Sequence, residues 1–283
     1  MINVVISDLK KFKKIKKQFL EEDLENLHVL SDFDRTLTHA FINGGEHVSS
    51  LISILRDENY LVEDYAEKAR ALFNYYHPIE VSNVIELDEK KRLMEEWWTK
   101  HSDLLIESGF NKKDMIEAAK SKRIKFRNKV LETLILLNSN KVPFIILSGN
   151  GLGEDSIIET MKYHQMYLDN VGVISNKYIW DGDGNAIDYF KPHIHTFNKN
   201  ETSVKKSPFY SQIKNRKNVL LLGDSLGDVN MADGFDYNNL LKIGFLNFNI
   251  EEDLDEYKKN YDVVIINDSS MKFVYEFLKE FEK

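Results

Sequence analysis

The chain has 283 residues, 42% of them hydrophobic and 12% aromatic, which suffices for one large domain or for a core plus an insertion. Its 38 basic and 46 acidic residues give a net charge of −8, which argues against a surface that wraps a nucleic acid polymer. There is no cysteine, so disulfides and thiolate chemistry are excluded, and the longest apolar runs fall far short of the roughly 18 residues a membrane-spanning helix needs.

In chain order, the N-terminus offers only VVI before lysines begin, too little for the apolar region of a signal peptide; a soluble, cytoplasmic protein is expected. In KKFKKIKKQF (10–19), Phe12, Ile15 and Phe19 recur at helical spacing. A helix docking that stripe on the core is favoured over one lying on a membrane. HVLSDF (28–33) reads as a buried strand, and from about 42 to 124 nearly everything is helix-like: 47–60, 62–77, 88–109 and 111–121. Further strand-like runs follow at 142–149, 171–176, 218–224, 241–246 and 262–267, with a helical pattern at 153–165. YIWDGDGNAIDYF (178–190) alternates around Asp-Gly and Gly-Asn, a hairpin signal. Strands alternating with helices predict an α/β fold with a parallel sheet. The expected organisation is a core of 1–41 and 125–283, interrupted by an all-helical domain, 42–124, after the first strand.

Ligands of open parallel sheets bind at the carboxyl ends of the strands. SDFDRTLT places Asp32, Asp34 and Thr36 at the first such end, and LSGNG places Ser148, Gly149, Asn150 and Gly151 at another. TFNKN carries Lys199, and GDSLGD carries Asp224 and Asp228. Alone, each motif reads equally well as a turn or a helix cap, and Lys199 as a surface lysine. Together they supply what phosphoryl transfer to a carboxylate needs. Clustered carboxylates suit a hard cation such as Mg2+, one carboxylate can attack phosphorus, and a second can move the proton. A hydroxyl, backbone N–H groups and a lysine can bind the phosphate oxygens. His193 and His195 alternate in KPHIHTF; a satisfied strand pair is favoured over a metal site, since no third ligand is near in sequence.

The motifs DFDRTLT, LSGNG, Lys199 and GDSLGD resemble those of the haloacid dehalogenase (HAD) superfamily of phosphatases. SDFDRTLTHAF, YYHPIEV, EEWWTKH, HTFNKN, LLLGDSLGDVNMADG and LKIGFLN narrow the resemblance to the cytosolic pyrimidine 5′-nucleotidases of type III, over about residues 28–268. The resemblance implies a Rossmann-like core with a helical cap. Asp32 becomes the nucleophile and a Mg2+ ligand. Asp34 becomes the general acid/base and lends its backbone carbonyl to the metal, and Asp224 completes the protein's ligands. Ser148 and Gly149 would bind phosphate, Lys199 would steady the nucleophile and the transferring group, and Thr36 and Asp228 would support the loops.

In the cap, the resemblance points to Glu80 as a base contact and to the WWTKH segment as the nucleoside pocket, with His101 where relatives often carry a small polar residue. Leu93, Met94 and Trp97 share a helical face, so Trp97 reads as core and Trp98 as the candidate for base stacking; Tyr75 and Tyr76 stay open. Arg35 and the Gly149–Asn150 stretch depart from the usual pattern. The implied activity is Mg2+-dependent hydrolysis of nucleoside 5′-monophosphates such as UMP and CMP, by a cytoplasmic monomer with no nucleic acid polymer or membrane as partner. A phosphatase acting on 7-methyl-GMP or on another small phosphomonoester such as phosphoserine, and a non-catalytic binding protein on the same fold, are the alternatives.

Overall fold

The computed structural model describes residues 3–42, 45–48, 50–58, 60–62, 64–82 and 84–282. Ser49, Asn59 and Glu63, which fall inside the helical stretches expected at 47–60 and 62–77, lie outside the described residues.

The strands are β1 (Val4–Ile6), β2 (Leu27–Ser31), β3 (Phe41–Ile42), β4 (Glu46–His47), β5 (Phe144–Leu147), β6 (Val171–Ile174), β7 (Tyr178–Trp180), β8 (Ala186–Tyr189), β9 (Asn218–Gly223), β10 (Asn239–Leu246) and β11 (Val263–Ile266). Seven of them form one sheet in the order β1-β11-β10-β9-β2-β5-β6. All neighbours pair in parallel except β1, which runs antiparallel to β11. Every residue of β2, β5, β6 and β9 is buried, as expected of strands covered on both faces. Side chains alternate between two cores: Val29, Leu220 and Leu222 join one, while Leu30, Val219 and Leu221 join the other. The six strands read from the sequence are present, and β7–β8 is the expected hairpin. The three-residue edge strand β1 carries too short a pattern to announce itself.

The helices are α1 (Leu9–Glu21), α2 (Leu51–Asp57), α3 (Tyr65–Val81), α4 (Leu87–Glu107), α5 (Lys112–Ala119), α6 (Val130–Ser139), α7 (Glu154–Tyr163), α8 (Glu201–Lys205), α9 (Tyr210–Ile213), α10 (Ile250–Asn260) and α11 (Lys272–Lys279). Asp8 caps α1 by accepting from the N–H groups of Lys10 and Lys11, at 2.8 and 3.0 Å. Phe12 and Phe19 are buried against Phe273 and Phe277 of α11, so the stripe of this basic helix faces protein. None of the described helices is long and apolar enough to cross a membrane.

Helices α2 to α5 follow β2 and the small β3–β4 ribbon. Leu51, Ile54, Leu104, Leu105 and Met115 are part of the larger core, whereas Tyr76, Met94 and Trp97 form a separate cluster between α3 and α4. The inserted helices therefore share their base with the core and own only their distal packing.

The chain leaves β2 for β5 and β6 on one side and returns to β9 on the other. That reversal sets the ends of β2, β5 and β9 side by side at a crevice, where such sheets bind ligands.

Candidate active site

Asp32 follows the last residue of β2, and its backbone N–H donates to the carbonyl of Leu222 in β9 at 2.9 Å. This bond aims the chain across the crevice. Asp32, Asp224 and Asp228 each offer a carboxylate oxygen, and the three oxygens lie within 4.8 Å of one another. Lys199 reaches in from a loop, not from a strand end, and its buried ammonium bridges Asp32 Oδ1 and Asp228 Oδ1, the latter at 3.0 Å. Asp228 Oδ2 accepts from the N–H of Asp224, the N–H of Ser225 and Ser225 Oγ at 3.2, 3.0 and 2.8 Å. The second aspartate of GDSLGD thus shapes the turn that carries the first. Gly223 must be glycine here, because a Cβ would lie 2.4 Å from that of Asp228.

Gathering these acids out of water has an electrostatic cost. Burial pushes the Asp32 carboxyl well above the ordinary range, with Lys199 opposing and Asp228 and Asp224 adding to the rise. Burial, reinforced by Asp228, lifts Asp224 to about 7. Burial also raises half-buried Asp34, against the pull of Arg35 and Lys199. Thr36 Oγ1 lies 3.5 Å from Asp224 Oδ1, a long contact between two of the loops. Ser148 is buried at the end of β5, with its N–H held by the carbonyl of Ile174 at 3.0 Å. A Cβ on Gly149 would come within 3.4 Å of His195 Cα, so that loop packs directly on the segment leading to Lys199.

The loop bearing Asp32, Asp34 and Thr36 is held from behind by Arg127, which is buried. Its guanidinium donates to the carbonyls of Arg35, Thr36 and Ser269 and to Asn247 Oδ1, and pairs with Asp268 Oδ1 at 3.0 Å. Asp268 in turn accepts from the N–H groups of Ala40 and Phe41 at 2.9 and 3.1 Å. Burial lowers Arg127 to about 10, so it is still charged at neutral pH. Arg35 itself has a φ of 60°, and Arg127 holds the carbonyl that this left-handed turn presents.

Two inserted helices reach this crevice. Glu80, near the end of α3, accepts from Thr196 Oγ1 at 2.5 Å, and its other oxygen lies 3.3 Å from His77 Nδ1. Burial works to raise its pKa, but the bonds from His77 and Thr196 prevail and hold it below the usual value. From α4, Trp98 lies over Gly151, where a Cβ would be 2.4 Å from Cζ3 of the indole. Tyr76, Trp97, Trp98 and His101 form a continuous stack, with successive centroids 5.7, 5.5 and 5.8 Å apart and planes within 21°. Tyr76 and Trp97 are buried, and Tyr75 is exposed. His101 is buried too, with Nε2 3.0 Å from the hydroxyl of Tyr65, and burial lowers it to about 4. Its neutral ring backs the half-buried Trp98.

A family model described as "Pyrimidine 5′-nucleotidase (UMPH-1)" matches residues 35–282. The chain belongs to that family. It is 35% identical over 255 residues to the "7-methylguanosine phosphate-specific 5′-nucleotidase" of Gallus gallus, spanning 90% of this chain and 87% of the relative. The crystal structure of cytosolic 5′-nucleotidase IIIB bound to cytidine superposes with a TM-score of 0.90 at 28% identity, covering 100% of this chain and 94% of that one. A substrate-bound phosphoserine phosphatase, at TM-score 0.54 and 16% identity over 89% and 97% of the two chains, shares the fold. The molecule is therefore a 5′-nucleotidase on an α/β, HAD-type fold.

In this nucleotidase, His193 and His195 are not on a strand, which corrects the expectation; they sit in the loop after β8. His193 is satisfied, with Nε2 3.0 Å from Ser102 Oγ and Nδ1 3.3 Å from Glu95, both on α4. Arg127, Asp268, Asn247 and Thr196 escaped the sequence reading. Arg127 sits alone in KFRNKV, and its partners arrive from positions 120 and 141 residues later, so no local signal exists. Thr196 stands three residues before Lys199, within HTFNKN.

Proposed function

We propose that this 5′-nucleotidase hydrolyses nucleoside 5′-monophosphates through an aspartyl-phosphate on Asp32, with Mg2+ as cofactor and helices α2–α5, within residues 42–124, acting as a cap over the crevice. The observation that carries the reading is the convergence of Asp32, Asp224 and Asp228 on one point at the sheet's reversal. An all-oxygen donor set in which burial, reinforced by neighbouring carboxylates, raises Asp32 and Asp224 fits a hard divalent cation. Asp32, Asp224 and the Asp34 carbonyl would hold Mg2+, which would neutralise the carboxylates and the phosphate oxygens.

Asp32 attacks phosphorus, and the bond from phosphorus to the 5′-oxygen breaks as Asp34 gives its proton to that oxygen. Burial lifts Asp34, which suits a group that must carry this proton. Water then attacks the aspartyl-phosphate, loses its proton to Asp34, and frees phosphate and Asp32. Lys199 steadies Asp32 and the transferring oxygens, while Ser148 and Gly149 bind the phosphate. Asp228 and Thr36 orient the loops.

For the base, we favour 7-methylguanine. N7-methylation gives that ring a positive charge, which an indole face and an ionised carboxylate both attract. Glu80 is held ionised, and the half-buried Trp98 lies at the crevice with Trp97 and His101 stacked on it. The name of the Gallus gallus relative supports this choice. The pyrimidine reading, UMP and CMP, is supported by the family's description and by cytidine in the solved neighbour. Phosphate release with and without Mg2+, across 7-methyl-GMP, UMP, CMP, GMP, AMP, phosphoserine and an aryl phosphate, tests both. Strongest release from 7-methyl-GMP is expected; a preference for UMP or CMP transfers the assignment to pyrimidines, and no release from any of them removes the catalytic reading.

A further inference from the structure

A cavity of about 560 Å³ lies beside β6 at the open edge of the sheet, and none of Asp32, Asp34, Asp224 and Asp228 lines it. That volume is in the range of small-molecule sites, roughly 300–1,000 Å³. Its walls come from α7, from the end of β6, from the segment after β8 and from the turn between α8 and α9.

The charge of this lining is opposite to that of the chain. Lys177, Lys191 and Lys206 line the cavity against a single carboxylate, Glu154. Lys177 pairs with Glu154 at 2.6 Å, while among the described residues Lys191 and Lys206 have no carboxylate at ion-pair distance. Two exposed lysines without a carboxylate partner therefore border one cavity in a protein of net charge −8, the Lys191 ammonium also lying 5.2 Å from the ring centre of Tyr189. The rings of Tyr167, Phe190 and Phe209 supply flat apolar wall, and Asn200 and Ser203 add hydrogen-bonding groups. Phe190 is 56% exposed, which leaves its ring accessible to a ligand in the cavity.

We propose that this cavity is a second binding site, for a small organic anion of the nucleoside-phosphate class. The aromatic walls take the flat ring, and Lys191 and Lys206 take the phosphate charge. Such a ligand also has a route to the catalytic cluster. His193, Ile194 and Asn198 line the cavity, and they belong to the segment that carries Thr196 and Lys199. That segment is bonded to α4 through His193 and Glu95, to α3 through Thr196 and Glu80, and to Asp32 through Lys199. Asn198 holds its shape by donating to the carbonyl of His193 and accepting from the N–H of His195, at 2.6 and 2.8 Å. A ligand that pushes on this wall changes how Lys199 and the two inserted helices are presented, and so changes the rate of phosphate release. This last step rests on the catalytic reading above; the binding itself does not.

ATP is the probe. Calorimetric titration of the full chain is expected to give an affinity that falls at least tenfold in the double variant Lys191→Glu, Lys206→Glu. Phosphate release measured without ATP should stay within twofold of the original protein. The pair Lys191→Arg, Lys206→Arg should keep the binding, which separates charge from misfolding. ATP should also alter the rate of phosphate release in the original protein and leave the charge-reversed one unaffected. Equal ATP affinity in both proteins, or no binding to either at millimolar ATP, overturns the site. Binding through the lysines with no change in rate overturns the coupling and keeps the site. Loss of the catalytic reading itself would appear elsewhere, as full phosphate release by Asp32→Asn.

Discussion

Thr196 Oγ1 donates a 2.5 Å hydrogen bond to Glu80 Oε1, joining the end of α3 to the segment that presents Lys199. The same threonine packs on the GDSLGD turn, since a Cβ on Gly227 would fall 2.2 Å from Thr196 Cγ2. One side chain therefore touches the proposed base reader and the proposed metal loop. Under the proposed function, substrate selection and phosphate chemistry would meet at this residue.

Glu80→Ala should weaken use of nucleotides much more than use of a generic phosphate. A hydrogen bond to a charged group is worth about 1.5–3 kcal/mol, so kcat/KM for the preferred nucleotide should fall roughly 10- to 150-fold. Release from an aryl phosphate should change by less than about threefold by the same accounting. Equal losses on both would mean that Glu80 shapes the site and does not read the base.

Gly151→Ala adds a Cβ 2.4 Å from Cζ3 of Trp98, so the indole must move. If Trp98 forms a wall of the base pocket, KM for the nucleotide rises while kcat on an aryl phosphate stays near its original value. Steady-state kinetics on the two substrates, with tryptophan fluorescence to report the displaced ring, checks this.

Mg2+ should raise the melting temperature, because it binds the folded state alone and relieves repulsion among Asp32, Asp224 and Asp228. At ten times its dissociation constant the gain is about 1.4 kcal/mol. Asp224→Asn should melt no lower than the original protein without Mg2+, since it removes a raised, half-buried carboxyl, and should lose most of the Mg2+ response. Asp32→Asn should abolish phosphate release with Mg2+ present.

Arg127→Met should destabilise the protein by about 3–5 kcal/mol, the cost of stranding the other half of a buried ion pair. Asp268 would lose its guanidinium and the carbonyls of Arg35, Thr36 and Ser269 their donor. Urea denaturation gives the size of the loss. Arg127→Lys should recover little of it, because one ammonium cannot serve a planar fork of acceptors.

His28 should make stability fall with acid from about pH 6.5, against Asp32, Asp34 and Asp224, whose raised carboxyls take up protons first in the folded state and act in the opposite direction. His28 is fully buried in β2, neither ring nitrogen has a partner, and burial lowers it to about 3. Above pH 6.5 the ring is neutral whether folded or unfolded and contributes nothing. Below that value the unfolded chain takes up a proton that the folded chain refuses, at about 1.4 kcal/mol per pH unit for one histidine. His101, lowered to about 4, adds a second proton over much of the same window. Denaturation midpoints of the original protein and of His28→Leu, compared between pH 7 and 4, should differ in slope by one proton's worth, since the carboxyls contribute equally to both. An unchanged slope in that variant would place the acid sensitivity elsewhere.

The fold was largely legible because its strands are buried on both faces and read as unbroken apolar runs: NVLLLG needs no partner in view to declare itself. The motifs were legible because Asp32, Ser148 and Asp224 directly follow such runs, or lie one residue beyond them. The strand expected at His193 and His195 was not there. Their alternation comes from a loop that buries both imidazoles, His193 against Glu95 and Ser102 and His195 with Nδ1 accepting from the N–H of Phe197.

Composition and apolar periodicity, acting through neighbours a few residues apart, determined the α/β layout, the inserted helices and the carboxylates at strand ends. Which strand ends meet depends on β2 lying between β9 and β5, an outcome of packing over more than a hundred residues. Only that packing brought Asp32 to Asp228, buried Arg127 under Arg35 and set Trp98 against Gly151. Each of these contacts joins residues far apart in the chain. Nothing in local sequence records them, because the free energy that selects them belongs to the assembled core.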